Sequence, residues 1–191
     1  MTAPQRRNPQ TRDAILAAAF ELCHERGYAA VTIEGVAARA GVGKQSIYRW
    51  WPSKGLLVLD AFRDHLDPRL ATPPAADLPL AGLPELLQRT AALLSDPRYG
   101  RMLADLVAAA QHDPALAKDF HEKVYRPNRE GTLDRIHRAQ RAGELRDIDP
   151  DLVADLLFGP LWFRLLLMQS PPTPEYANRV IETTLAGLRP A

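Results

Sequence analysis

The residues best suited to contact another molecule are concentrated in one short stretch, GVGKQSIYRWW, at positions 41–51. It contains a lysine, a glutamine, a serine, a tyrosine and an arginine, whose side chains can form hydrogen bonds with base edges or phosphate groups. Two of the three tryptophans of the chain, Trp50 and Trp51, close the stretch. Its composition therefore fits two roles, a buried aromatic anchor or a surface that contacts a partner.

The sequence around this stretch predicts two short helices joined by a tight turn. Thr32 is a suitable N-cap, and apolar residues follow it at helical spacing over positions 33–40. Gly41 ends this helix, and the next one begins two residues later and ends before Pro52. Both the length and the pattern are those of a helix-turn-helix, whose second helix can enter a DNA major groove about 12 Å wide.

The second helix of this motif is predicted to have an inner and an outer side. The inner side, which packs against the preceding helices, consists of Val42, Ile47 and Trp51. The outer side consists of Lys44, Gln45, Ser46, Tyr48 and Arg49. On this side lysine can donate to guanine, and glutamine can pair with adenine. Groups that can contact phosphates, and so set the register on DNA, belong to Thr32, Tyr48, Trp50 and Lys54. For Trp50, packing is an equal alternative. Gly43, without a side chain, would let the helix start approach the DNA backbone.

Charge is distributed unevenly along the 191 residues, although the net charge is only +1. Residues 1–54 carry eight Lys or Arg and four Asp or Glu, a net charge of +4, which leaves −3 for the remainder. This asymmetry favours a polyanion-binding N-terminal part joined to a body with another role. The single cysteine, the absence of an apolar run in residues 1–14 and the lack of a bilayer-spanning segment predict a cytoplasmic protein with no membrane partner.

The rest of the chain also reads as helical, and no segment has the pattern of a strand. One helix begins at Asn8-Pro9 and ends near Gly27, and another is capped by Ser53. Residues 67–80 contain four prolines and divide the chain. Five more helices are predicted, over residues 83–95, 97–111, 114–142, 150–169 and 174–188. Local breaks are expected at Pro127 and Pro160. The fold class is therefore all-α, with about nine helices.

At the helix-turn-helix the sequence resembles the TetR family of bacterial transcriptional regulators. The stretch TIEGVAARAGVGKQSIYRWWPSK resembles the DNA-binding signature of that family, and the resemblance extends back through TRDAILAAAFELCHERGYAAVT. The matching positions are Thr32, Ala40-Gly41-Val42, Tyr48, Trp50/Trp51 and Ser53-Lys54. Two glycines depart from the family pattern, Gly35 and Gly55, and each can cost its helix up to about 1 kcal/mol relative to alanine.

This resemblance implies a homodimer in which a three-helix head is joined by a fourth helix to a helical ligand-binding and dimerising body. The DNA-binding domain would comprise residues 1–54, with the linking helix reaching about residue 66, and the C-terminal domain would comprise 67–191. The protein would be a repressor that a small-molecule effector releases from a palindromic double-stranded DNA operator. An activator and a regulator that needs no ligand remain alternatives, as does an enzyme or binding protein that uses the head for protein contacts.

The body contains candidates for two kinds of site. The helix over 150–169 is apolar around more than half of its circumference, so it is either enclosed or part of an interface. Candidate dimer-interface residues in the last two helices are Leu156, Leu161, Leu165, Val180 and Thr184. Candidate ligand-pocket residues, for which core packing is the alternative, are Met102, Leu106, Phe120, Tyr125, Phe158 and Trp162. No motif indicates catalysis, a cofactor or a metal site, so we expect no enzyme activity.

Overall fold

In the computed structural model, helices make up the regular secondary structure of the described residues, which are 8–66, 80 and 82–189. Within these residues there is no strand, which confirms the predicted all-α class. The α-helices are α1 Pro9–Arg26, α2 Ile33–Ala40, α3 Lys44–Tyr48, α4 Lys54–Asp64, α5 Gly82–Ser95, α6 Tyr99–Ala110, α7 Pro114–Phe120, α8 Arg126–Arg141, α9 Pro150–Leu166 and α10 Pro174–Leu188. The proline-rich segment predicted over 67–80 lies outside the described residues, except for Leu80.

Short polar side chains start α1, α2, α4, α9 and α10, as their positions in the sequence predict. The side chains of Asn8, Thr32, Ser53, Asp149 and Thr173 each accept a hydrogen bond from a backbone N–H in the first turn of the following helix. Such bonds satisfy donors that the helix itself leaves unpaired. Local sequence therefore fixes where α1, α2, α4, α9 and α10 begin.

One break in regular α-helix geometry lies next to Pro127, where the sequence predicts a local break. A π-helical turn, His121–Tyr125, connects α7 to α8 without interruption, and Pro127 lies in the first turn of α8. Counting residues 114–141 as one helix gives nine helices in the described part of the chain, the predicted number. By contrast, α9 continues as an α-helix on both sides of Pro160.

The described residues form two compact units, of which unit 1 combines the chain up to Leu66 with Asp105–Phe120. In unit 1, α1 packs against α2 and α4, and its buried residues include Cys23, as its place on the inner stripe of α1 predicts. The segment Asp105–Phe120 adds Leu116, which is fully buried against α4. A Cβ at Gly55 would lie 2.8 Å from the Leu116 Cδ2 atom, so this glycine makes room for α7. That packing is a physical reason for the departure from the family pattern.

Unit 2 contains residues from 67–104 and 121–191. Here α5 packs most extensively against α10, and α9 contacts α5, α8 and α10. A hydrogen bond of 2.6 Å from the Gln88 Nε2 atom to the Asn178 Oδ1 atom joins α5 to α10. At Gly100 a Cβ would lie 2.1 Å from the backbone oxygen of Leu94, so only glycine fits this approach of α6 to α5. The functional domain boundaries at residues 54 and 67 stay predictions.

Candidate nucleic-acid interface

The direction of α3 is set by the turn that ends α2. Gly41 has φ 67° and ψ 31°, a left-handed conformation that glycine adopts without the steric penalty of a Cβ. The N–H of Val42 donates to the carbonyl of Ala37 at 3.0 Å, which satisfies a carbonyl at the end of α2. Two residues later α3 begins, with Gly43 as its N-cap.

Two large side chains anchor α3 to unit 1. Ile47 is fully buried, and Trp51 is 3% exposed. The Trp51 Nε1–H group donates to the Asp60 Oδ2 atom of α4 at 2.9 Å, so the indole is both packed and oriented. The sequence predicted the inner position of both residues, but it gave no indication that Asp60 was the partner.

The remaining side chains of α3 are accessible to solvent. Tyr48 is 52% exposed, Lys44, Gln45 and Arg49 are also exposed, and Ser46 is half-buried. No atom lies within 4 Å of the position of a Cβ at Gly43, so the start of α3 is open. The structure therefore presents the predicted outer residues on a short, well-anchored helix; their contacts with DNA stay a prediction.

Lys44 forms an ion pair that sequence reasoning missed. Its Nζ atom lies 2.6 Å from the Oε1 atom of Glu34, in the first turn of α2. Both side chains are more than half exposed, at 54% for Lys44 and 59% for Glu34. The hydrogen bond from Lys44 lowers the pKa of the Glu34 carboxyl. The two partners are ten positions apart and on opposite sides of a glycine turn, so no helical spacing indicated the pair.

Lys54, a predicted phosphate contact, is held by the 3₁₀ turn Tyr28–Ala30. Its Nζ atom donates to the Tyr28 carbonyl oxygen at 3.1 Å and lies 4.4 Å from the centre of the Tyr28 ring. The Tyr28 N–H in turn donates to the Asp105 Oδ2 atom at 3.2 Å. Burial raises the pKa of the Tyr28 hydroxyl, and the Asp113 carboxylate raises it further. Tyr28 therefore connects Lys54 to the second segment of unit 1.

Two further predicted phosphate contacts, Thr32 and Trp50, have structural partners as well. Thr32 is exposed, and its Oγ1 atom accepts the N–H of Gly35 at 3.0 Å as the cap of α2. Trp50 is half-buried and stacks on Trp51 with 5.9 Å between ring centres. Trp50 therefore packs on its neighbour and is not fully buried, and its contact with a phosphate stays a prediction.

In unit 2 the accessible apolar residues of α9 follow a helical stripe. Leu152, Leu156 and Phe163 are 49%, 45% and 53% exposed, and Gly159 between them is exposed too. These four residues, spaced i, i+4, i+7 and i+11, are called the α9 face below. Leu156 was predicted on this side of the helix, whereas Leu152 and Phe163 were missed.

Other candidates in the last two helices lie elsewhere. Leu161 is fully buried, so its side chain is not accessible in this structure, and its role in a dimer interface stays a prediction. Leu165, Val180 and Thr184 are half-buried. Because α9 is apolar around more than half of its circumference, its sequence does not show which apolar residues the other helices cover.

The six candidate pocket residues do not lie in one unit. Met102, Tyr125, Phe158 and Trp162 belong to unit 2, whereas Leu106 and Phe120 belong to unit 1. Met102 and Leu106 are buried, Tyr125 is 42% exposed, and the other three are half-buried. A groove of about 390 Å³ in unit 2 is lined by Pro84 of α5, by residues of α10 and by Arg189. None of the six candidate pocket residues lines this groove. Their role in ligand binding stays a prediction.

Among the described residues, no group of three or more His, Cys, Asp or Glu side chains is placed to hold a metal ion. None of the helices in the described part of the chain is long and apolar enough to cross a membrane.

Comparison with known protein families shows which family this chain belongs to. Residues 15–61 match the tetR family of bacterial regulatory proteins. Residues 79–184, more than half of the chain, match the tetracyclin repressor-like C-terminal domain. The chain belongs to the TetR family. As a TetR-family protein it is a DNA-binding transcriptional regulator and not an enzyme, which confirms the resemblance seen in the helix-turn-helix.

Relatives of this TetR-family chain match it over most of its length. The uncharacterized HTH-type transcriptional regulator YdeS of Bacillus subtilis (strain 168) is 29% identical over 186 residues, covering 96% of this chain and 92% of YdeS. The DNA-binding transcriptional repressor TetR of Mycobacteroides abscessus is 28% identical, covering 94% of each chain. The crystal structure of the TetR family transcription regulator SCO0332 is 32% identical, with a TM-score of 0.74 and coverage of 95% and 100%.

Proposed function

We propose that this TetR-family regulator is a homodimeric repressor that binds a palindromic operator through α3 and is released by a small-molecule effector. The observation that carries the proposal is the division of α3. Ile47 is fully buried, while Lys44, Gln45 and Tyr48 remain exposed on the same five-residue helix. A helix held from one side and polar on the other is what major-groove reading requires.

The proposed contacts follow from side-chain chemistry. Lys44 donates to guanine edges, Gln45 pairs with adenine, and Ser46 and Arg49 supply further hydrogen bonds. Tyr48, Trp50, Lys54 and Thr32 contact phosphates and fix the register of the protein on the duplex. Gly43 lets the DNA backbone approach the start of α3, in keeping with the open space around it.

The proposed dimer uses α9 and α10. Exposed leucine and phenylalanine side chains on the α9 face form an apolar surface, which is a common mark of a protein interface. A two-fold axis brings the same face of two copies together, and Gly159 leaves room for close approach. The dimer then presents two copies of α3 to half-sites related by the same symmetry.

Control by an effector requires a ligand that binds the released conformation better than the DNA-bound one. One helix is well placed to couple the two parts of the chain, because α6 contributes Met102 to unit 2 and Asp105 to unit 1. Among proteins with this fold, SmeT has been solved in complex with triclosan. The repressor assignment is supported by the M. abscessus relative, which is a DNA-binding transcriptional repressor.

Operator selection tests the proposal. Genomic fragments retained by the protein are footprinted, and the affinities of Lys44→Ala, Gln45→Ala and Tyr48→Ala for the selected site are measured. Each variant should bind at least about fivefold more weakly, because one base or register contact contributes about 1–3 kcal/mol. Lys54→Ala should weaken binding to every sequence and reduce the salt dependence by about one phosphate contact. Sedimentation of the variants as dimers is the control.

If all three α3 variants bind the selected site as the wild type does, α3 is not the reading helix. The effector is sought by thermal-shift screening, followed by release of the operator. A compound that stabilises the protein without releasing DNA would favour an activator or another mode of control. A complete screen with no stabilising compound would favour a regulator that needs no ligand.

A further inference from the structure

Glu34 places a carboxylate directly beside the residue proposed to read guanine. Its Oε1 atom lies 2.6 Å from the Nζ atom of Lys44, which is the first residue of α3. The first residues of a recognition helix are the ones that contact base edges in the major groove. Since both side chains are more than half exposed, a base edge that reaches the ammonium group also reaches the carboxylate.

The ion pair does not have to open in order to contact a base. A lysine ammonium group has three N–H donors, and each oxygen of a carboxylate can accept more than one hydrogen bond. The bond between the two side chains uses one donor of Lys44 and one acceptor site on Glu34. The intact pair can therefore offer a donor and an acceptor side by side to a third group.

A G·C base pair presents the complementary arrangement in the major groove. Guanine has two acceptors, N7 and O6, and the N4 amino group of cytosine, a donor, lies next to O6. The O6 and N4 atoms are hydrogen-bonded to each other, so they are about 2.9 Å apart. This spacing is close to the 2.6 Å between the two charged groups. Lys44 can thus donate to guanine while Glu34 accepts from the cytosine of the same pair.

The carboxylate adds discrimination that a lysine alone does not have, because an ammonium group can donate to any acceptor in the groove. In an inverted C·G pair, the cytosine amino group would face Lys44 and the guanine O6 atom would face Glu34, so both contacts would be repulsive. An A·T pair places the adenine amino group and the thymine O4 atom in the same unfavourable order. A T·A pair keeps the favourable order, but its methyl group replaces N7 beside Lys44, and adenine N7 lies beside Glu34.

We propose that Glu34 is a specificity-determining residue, which reads one G·C base pair in each operator half-site together with Lys44 by accepting a hydrogen bond from cytosine N4. This inference rests on the proposed function, because it requires α3 to be the reading helix and Lys44 to contact guanine. The hydrogen bond from Lys44 lowers the pKa of the Glu34 carboxyl, so this group is an ionised acceptor at neutral pH.

The test is a panel of operators in which each base pair of the selected site is substituted in turn. We expect wild type to prefer G·C over C·G at one base pair of each half-site. Lys44→Ala and Glu34→Ala should each reduce that preference at least about fivefold, both at the same base pair. Preferences at the other base pairs should change less than about twofold. The matched control is Glu21→Ala, which removes a carboxylate from an exposed position on α1 and should keep every preference.

The panel separates failure of this inference from failure of the proposed function. If Lys44→Ala relaxes one base pair and Glu34→Ala relaxes none or a different one, the inference is overturned and α3 remains the reading helix. A Glu34→Ala effect of the same size at every base pair would be a general effect of charge and would also overturn it. If Lys44→Ala relaxes no base pair, the proposed role of Lys44 fails together with the inference. Thermal melting verifies that each variant is folded, as the independent cap of α2 by Thr32 leads us to expect.

Discussion

Helices α3 and α9 each present residues proposed to contact a partner, but their outer sides are defined in different ways. In α3, five residues between a left-handed glycine and Pro52 contain one fully buried side chain, Ile47. The seventeen residues of α9 are apolar around more than half of the helix, and only packing against α5, α8 and α10 decides which apolar residues remain accessible. Local chemistry therefore orients α3, whereas the tertiary structure orients α9.

Substitutions on the α9 face should have the largest effect. Phe163→Glu or Leu156→Glu should raise the dimer dissociation constant at least about 100-fold, because two-fold symmetry buries two carboxylates and each costs several kcal/mol. Sedimentation velocity over a concentration series measures the constant. The control is Ala17→Glu on an exposed position of α1 in unit 1, which should leave the constant within about threefold. A constant unaffected by either α9 substitution would place the interface elsewhere.

The second prediction concerns the two neighbouring tryptophans of unit 1. Trp51→Ala should lower the free energy of unfolding by about 3–5 kcal/mol, because it empties a buried site and removes the partner of Asp60. Trp50→Ala should lower it by about 1 kcal/mol or less, since half-buried residues contribute less. Urea denaturation followed by circular dichroism gives both values. Equal losses would mean that Trp50 is as much a core residue as its neighbour.

The features that could be predicted from the sequence are those that local chemistry sets, as it does in α3. The caps Thr32 and Ser53 and the turn at Gly41 act within three or four residues, so pattern and spacing were sufficient to place α2, α3 and α4. The inner positions of Ile47 and Trp51 follow from the same periodicity. These features are local because the bonds that produce them join near neighbours in the chain.

Contacts between distant segments were not predictable in this way. Glu34 reaches Lys44 across a turn, and Leu116 packs on Gly55 from a segment about sixty residues further along the chain. The complete burial of Leu161 was also not predicted, because the largely apolar sequence of α9 does not indicate which of its apolar residues other helices cover. In each case the missing information is the position of a second element, which residue spacing within one helix does not contain.

The smallest predicted effect concerns a surface charge pair in each unit. In unit 1, two nitrogens of Arg39 bond to both oxygens of Glu25 at 2.8 Å, and this bonding lowers the pKa of the Glu25 carboxyl. In unit 2, Arg129 is only 19% exposed and bonds to Asp151 and Asp155 at 2.7 Å. At pH 7 we expect Arg129→Gln to lower the urea midpoint more than Arg39→Gln, because water screens Arg129 less.

The unit 1 pair should also depend on pH in a definite direction. A carboxyl whose pKa is lowered in the folded state stabilises the protein above its unfolded pKa, near 4.5 for glutamate. That stabilisation is lost as the pH falls through the lower, folded value. The midpoints of wild type and Arg39→Gln should therefore differ at pH 7 and converge as the pH falls through that lower value, and 1 M salt should reduce the difference at pH 7. A difference that is constant across this range would show that Arg39 stabilises unit 1 through packing of its side chain rather than through Glu25.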